Sequence, residues 1–160
     1  MTEILGLDIG RVIIAGDSGP ADTHFFTGDH LRTPPMDGAL ECIRRLVKDR
    51  FGENVHLISK CHSRIARRTR EWLAHMQFTE TTGIPEDRWH FCKERPDKGP
   101  LCKALGITHF VDDRLDNLRH ASEAGVGHLY WFKPDGDSPE DAPEHQRVNS
   151  WAELVSTLIA

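Results

Sequence analysis

Three polar positions end otherwise apolar stretches of the sequence, and their residue types suit one kind of chemistry. Asp8 closes the run Ile4–Asp8, Ser59 closes Val55–Ser59, and Asp112 closes His109–Asp112 with Asp113 directly behind it. Two adjacent carboxylates repel each other unless a cation lies beside them. A hard divalent ion such as Mg2+ takes oxygen ligands in a near-octahedral shell. Asp8, Asp112 and Asp113 can supply carboxylate ligands, provided the segments that carry them are neighbours. Ser59 adds a hydroxyl donor. Lys98, at the start of a helical pattern, adds an ammonium that can screen a carboxylate nucleophile from an incoming phosphate. A nucleophile, cations and donors around phosphate oxygens are what phosphoryl transfer requires.

The elements that must position these groups follow from the apolar pattern. Ile4–Asp8, Val55–Ser59, Trp89–Cys92, His109–Asp112 and His128–Phe132 read as strands. The first, second and fourth are nearly continuous in Ile, Leu, Val and Phe, as in strands covered on both faces of a parallel sheet. Helical spacing links Leu40, Ile43, Leu46 and Val47, with Gly52 beyond them, and again Ile65, Trp72, Leu73 and Met76. A third helix carries Pro100, Leu101, Ala104 and Leu105 and closes at Gly106; a fourth carries Leu115, Leu118, Ala121 and Ala124 and closes at Gly125. Ser150 and Glu153 form a capping-box signature ahead of Leu154, Val155 and Leu158. Alternating strands and helices predict an α/β fold, a Rossmann-like three-layer sandwich around a central parallel five-stranded sheet. Ligands of such sheets bind beyond the carboxyl ends of the strands, where Asp8, Ser59 and Asp112-Asp113 would lie.

The chain of 160 residues suits a single domain spanning 1–160, with a loop insertion at 15–35 and an acidic, Pro-rich surface loop at 133–147. Net charge of -5 argues against a protein built to coat nucleic acid. No apolar run reaches membrane-spanning length and no signal-peptide pattern opens the sequence, so a cytoplasmic protein without a membrane partner is expected. The four cysteines form no CxxC pair and read as reduced thiols. Cys61-His62 and His90-Phe91-Cys92 lack the paired spacing of a zinc site. The four tryptophans read as core. Arg67, Arg68 and Arg70 read as a solvated helix face, whereas Arg64 stands nearest the Ser59 strand end and can reach a phosphate. Asp116 and Asn117 read as caps of the following helix.

The motifs that now stand in order are Leu7-Asp8-Ile9-Gly10-Arg11-Val12, Leu57-Ile58-Ser59-Lys60, Pro96-Asp97-Lys98-Gly99-Pro100 and Phe110-Val111-Asp112-Asp113-Arg114-Leu115-Asp116-Asn117. Together they resemble the haloacid dehalogenase superfamily of phosphohydrolases, from residue 4 to about residue 132. The resemblance implies a Mg2+-dependent phosphatase in which Asp8 attacks phosphorus and forms an aspartyl-phosphate. It further implies that Ser59, with Lys60 and Arg64 beside it, holds the substrate phosphate and that Lys98 stabilises the charge around Asp8. Lys93 is the alternative for the lysine role. Asp112 would bind Mg2+ directly, Asp113 would be a second ligand or an outer-shell partner, and the Gly10 carbonyl would complete the shell. The implied partner is a phosphorylated small molecule or a macromolecular phosphoester.

Two departures from the family pattern stand out. Gly10 occupies the position at which most family phosphatases carry a second Asp that protonates the leaving group, giving a DxGxV variant; Arg11 follows where Gly is frequent. General acid–base help is worth about 100- to 10,000-fold in rate, so good leaving groups are expected to fare better than alkoxides. Asp17, His24 or His30 are candidate replacements. The other departure is the lack of room for a cap domain, which favours a large substrate or a lid from another subunit, with His24, Phe25 and Phe26 as a small local lid. Two other functions remain: a protein that binds phosphorylated ligands without turnover, and a phospho-acceptor receiver, whose acidic pair would come after its first strand rather than late. Dehalogenase chemistry, which needs no acidic metal-binding pair, ranks behind these.

Overall fold

A computed structural model describes residues 2–15 and 28–159 of the chain. Among the described residues, six parallel strands form one sheet: β1 (Leu5–Leu7), β2 (Val55–Lys60), β3 (Trp89–Cys92), β4 (His109–Asp112), β5 (His128–Phe132) and β6 (Gln146–Val148). Their order is β3-β2-β1-β4-β5-β6. The chain therefore steps outward from β1 in one direction through β3, then returns to the other side of β1 and steps outward again. This reversal puts β1 and β4 side by side, with Leu5 opposite His109 and Leu7 opposite Val111. The neighbour relation on which the carboxylate cluster depends is thus met at the topological switch point, where such sheets bind ligands.

Helices cover both faces: α1 (Ala39–Leu46), α2 (Ser63–His75), α3 (Phe78–Thr82), α4 (Lys98–Leu105), α5 (Leu115–Glu123) and α6 (Trp151–Ile159). Period-two alternation sends Leu5, Leu7 and Leu57 into one core with Ile43, Trp72 and Trp151, and Ile58 and Phe110 into a second core with Cys102, Leu118 and Leu129. All four tryptophans are buried, and three of them tie loops to the core, Trp131 by donating to the Asp113 carbonyl at 3.0 Å. Trp72 donates its indole N–H to the Thr33 carbonyl at 2.8 Å, and Trp151 donates to the Val12 carbonyl at 2.7 Å.

Where the outcome differs from expectation, local chemistry explains it. The sheet has six strands rather than five because Gln146–Val148, which overlaps the end of the surface loop expected over 133–147, adds an edge strand beside β5. Only Val148 of that strand is buried, so no apolar run announces it. The short α3 was also unannounced; Thr82 returns its hydroxyl to the Phe78 carbonyl at 2.8 Å and Gly83 ends the helix with φ 86°. Helix α1 continues as a π-turn through Phe51 before Gly52 stops it. At Ser150 the cap is half as expected: its hydroxyl accepts the Glu153 N–H at 3.0 Å, while the Glu153 carboxylate takes the N–H of Asn149 at 3.3 Å. Between β2 and β3 the chain forms α2, α3 and a single 3-10 turn. No described helix is long and apolar enough to cross a membrane.

Candidate active site

The segment after β1 explains how Asp8 is fixed. The N–H groups of Val12, Ile13 and Ile14 converge on the Ile9 carbonyl at 3.2, 2.8 and 3.0 Å. Ile9, Val12, Ile13 and Ile14 are buried, whereas Gly10 and Arg11 remain exposed. The turn closes with Arg11 at φ 64°, a left-handed conformation that costs a non-glycine residue about 1 kcal/mol. The Asp8 N–H donates to the Val111 carbonyl at 3.0 Å, so the backbone that holds Asp8 is knitted to the strand that ends in Asp112.

Lys98 is the hub of the site. It is the first residue of α4 and only 1% exposed, and its Nζ donates to Asp8 Oδ1 at 3.0 Å and to Asp112 Oδ2 at 2.8 Å. A long side chain reaches this point because α4 begins hard against α5. A Cβ on Gly99 would sit 2.7 Å from the His120 carbonyl oxygen, so any larger residue would push α4, and Lys98 with it, off the cluster. Lys93, the alternative for this role, is exposed beyond the end of β3. Ser59 is 8% exposed at the end of β2; burial raises the Cys61 thiol, and the Ser59 hydroxyl helps to lower it. Lys60 follows it, half-buried, and Arg64 is exposed in the first turn of α2.

Asp8, Asp112 and Asp113 present carboxylate oxygens that lie within 4.8 Å of one another. Among the described residues this is the one such grouping of three His, Cys, Asp or Glu side chains; neither Cys61-His62 nor His90-Phe91-Cys92 gathers a third ligand. Burial, then the charge of Asp112, pushes the Asp8 carboxyl well above the usual carboxylate range against the pull of Lys98. The same two causes push Asp113 up to about 6. Burial works against the charge of Lys98, but Asp112 and Asp8 outweigh it and raise the ammonium above its ordinary value. Three carboxyls facing one ammonium leave a negative excess that a proton shared by Asp8 and Asp113, or a cation, must offset.

The donor set fits a hard divalent cation: oxygen ligands only, buried, with unbalanced negative charge. Asn117 adds a second observation. This residue, a helix cap by its place in the sequence, is 3% exposed and donates from Nδ2 to Asp112 Oδ1 at 3.2 Å. Its buried Oδ1 has no hydrogen-bond partner among the described residues. A buried amide oxygen beside such a cluster suits a donor such as a cation-bound water. Asp112 Oδ1 also accepts the Arg114 N–H at 3.0 Å, so all the oxygens of Asp112 are held. Asp116 keeps a surface role, bridged by Arg114 at 3.1 and 3.2 Å while its Oδ1 accepts the Asn117 N–H at 2.9 Å. The signal for Asn117 was its spacing: it lies one helical turn beyond Asp113, on the face of α5 that turns inward.

At Gly10, a Cβ would meet nothing within 4 Å, so the site has room for a side chain there that the sequence does not supply. Of the candidate substitutes, Asp17 and His24, and with them the lid residues Phe25 and Phe26, lie outside the described residues. His30 is committed elsewhere. Arg68 donates to its Nδ1 at 2.7 Å, which makes that nitrogen the acceptor, and its Nε2 then donates to Glu71 at 2.8 Å.

No protein-family model and no curated protein sequence matches the chain. Solved structures do. A dehalogenase captured as an intermediate complex superposes with a TM-score of 0.68 at 13% identity, covering 99% of this chain and 98% of that one. A D,D-heptose 1,7-bisphosphate phosphatase from Burkholderia thailandensis gives 0.62 at 13% identity, covering 99% of each chain. A haloacid dehalogenase-like family hydrolase from Xanthomonas campestris gives 0.59 at 12% identity, covering 98% of this chain and 94% of that one. The chain has the fold of haloacid dehalogenase-like hydrolases over nearly its whole length.

Proposed function

We propose that this protein, built on the haloacid dehalogenase-like fold, is a Mg2+-dependent phosphohydrolase that works through an aspartyl-phosphate on Asp8. The observation that carries the reading is the buried Lys98 ammonium, 3.0 Å from Asp8 and 2.8 Å from Asp112, at the switch point of the sheet. Asp8, Asp112 and Asp113, with the Gly10 carbonyl, would hold the cation. When bound, Mg2+ supplies positive charge that neutralises phosphate oxygens and favours the ionised form of the carboxylates.

The residues of the chain divide the remaining work. Asp8 attacks phosphorus with a carboxylate oxygen, and the bond to the leaving oxygen breaks. Ser59 donates its hydroxyl to a phosphoryl oxygen. Lys98 holds Asp8 in place and offsets the charge gathered at the phosphate. Asn117 and the Arg114 N–H keep Asp112 oriented. Water then cleaves the acyl phosphate and restores Asp8. No side chain at position 10 protonates the leaving group, so an alkoxide leaves slowly and a phenolate, stable as an anion, leaves faster.

Gly10 also supports a second reading, in which the protein binds phosphorylated ligands without turning them over. Phenolate release from an aryl phosphate with Mg2+ separates the two. The phosphohydrolase reading expects release by the wild type, loss on Asp8→Asn, and a further gain on Gly10→Asp, which the open space at Gly10 accommodates. Release no faster than that of Asp8→Asn, with retained binding of a phosphate mimic, would establish the binding protein instead.

A further inference from the structure

The charges around the mouth of the site are unevenly distributed. Lys60 ends β2 and lies opposite Cys92, the last residue of β3, so that Lys60 and Lys93 both stand at the carboxyl edge of the sheet. Arg64 projects from the first turn of α2 and Arg95 from the 3-10 turn that leads into Lys98. Arg64, Lys93 and Arg95 are exposed and Lys60 is half-buried. None of the four makes an ion pair among the described residues. The acids that could offset them are consumed locally. The Asp97 carboxylate accepts the Glu94 N–H at 3.2 Å, and the Glu94 carboxylate accepts the Asp97 N–H, so both cap the turn. Arg114, on the β4 side, is tied to Asp116. Farther round, the segment after β5 carries Asp135, Asp137, Glu140, Asp141 and Glu144. A chain of net charge -5 thus keeps Lys60, Arg64 and Lys93 without salt bridges on one flank of a buried acidic site, at the ends of β2 and β3, with Arg95 beside them on the side of Asp116, whose carboxyl it helps to lower.

Unpaired cations clustered beside a phosphate site focus potential there and match an anion a few ångströms from the reacting phosphate. We propose that the substrate carries a second phosphate, held over the ends of β2 and β3 by Lys93 and Arg95 with Lys60 and Arg64 beside them. This rests on the phosphate-site reading above and adds the substrate class to it: a phosphomonoester bearing another phosphate, whether a small bisphosphate or the 5′ end of an oligonucleotide.

Binding to the Asp8→Asn protein with Mg2+, measured by calorimetry, tests this without requiring turnover. The probes are glucose 6-phosphate, glucose 1,6-bisphosphate and a 5′-phosphorylated dinucleotide. At least one of the two doubly phosphorylated probes binds about tenfold or more tightly than glucose 6-phosphate. Adding Lys93→Ala and Arg95→Ala removes most of that preference, and added salt weakens it in parallel. Which of the two probes gains identifies the source of the second phosphate. Equal binding of all three probes, or a preference untouched by the double substitution, overturns the second-phosphate site and leaves the phosphate-site reading standing. No binding of any probe by this protein or by the wild type overturns both. Circular dichroism of the substituted protein confirms that the exposed positions leave the fold intact.

Discussion

Replacing Lys98 by Met keeps the length and apolar stem of the side chain and removes its charge. In the native protein the ammonium is 1% exposed and makes two charge-assisted hydrogen bonds, at 3.0 and 2.8 Å, to carboxylates that are themselves buried. Removing one partner of a buried ionic cluster costs about 3–5 kcal/mol, because the charges left behind remain out of water. That is a large share of a typical domain stability of about 5–15 kcal/mol. The cost depends on pH in a defined direction. Asp8 and Asp113 already have raised carboxyls in the folded protein, Asp113 up to about 6 against 3.8 for a free side chain. A group with a raised folded pKa binds more protons folded than unfolded, so its contribution becomes less favourable as pH rises through that window. Without Lys98 this penalty grows, so Lys98→Met loses more stability at pH 8 than at pH 5. Urea denaturation at both values reads the change as a lower midpoint at constant slope. Lys93→Met serves as the control and stays within about 0.5 kcal/mol of wild type, as exposed substitutions do. A loss below about 1 kcal/mol for Lys98→Met, or a loss independent of pH, would refute the counter-ion account of this cluster.

Asn117→Ala removes the donor to Asp112 Oδ1 and the unpartnered amide oxygen beside it; Mg2+ affinity, followed by calorimetry, falls about 10- to 100-fold while Asp116→Ala changes it little. His109 is held down to about 4, first by burial and then by the charges of His128 and Arg50. Its folded pKa is depressed, so the stability it contributes is present above pH 6.5 and is lost as pH falls from 6.5 towards 4, where the unfolded chain takes up a proton that the folded chain refuses. His109→Phe therefore flattens the acid limb of the midpoint-against-pH curve in that window. Saturating Mg2+ stabilises the protein by about 2.7 kcal/mol at a hundredfold excess over its dissociation constant, read as a rise in thermal midpoint that Asp8→Asn diminishes.

The fold was legible wherever burial left a periodic mark. The five strands carrying Ile, Leu, Val and aromatic runs and the five main helices lie where the pattern puts them. The edge strand Gln146–Val148 escaped because an edge needs only one buried side chain, and its pairing with β5 is set by tertiary contact rather than by its own residues. At the candidate site, Asp8, Ser59 and Asp112-Asp113 were legible because a polar residue ending an apolar strand is conspicuous, and Lys98 because it opens a helix in the order of the other motifs. Lys98 already stood ahead of Lys93 in the sequence, but the close approach of Gly99 to His120 that seats it is contained in no local rule. Asn117 escaped because an amide in a helix's first turn is ordinarily a cap, and its inward face shows only once α5 is packed. The engagement of His30 by both Arg68 and Glu71 is likewise a product of packing between residues far apart in the sequence.

The most direct measurement is acid quenching of the protein after mixing with a radiolabelled aryl phosphate and Mg2+, followed by peptide mapping. The account predicts a label that is lost at alkaline pH, as an acyl phosphate is, that maps to the peptide containing Asp8, and that is absent from Asp8→Asn. Product release without any such label, or a label that persists in Asp8→Asn, would contradict Asp8 as the nucleophile.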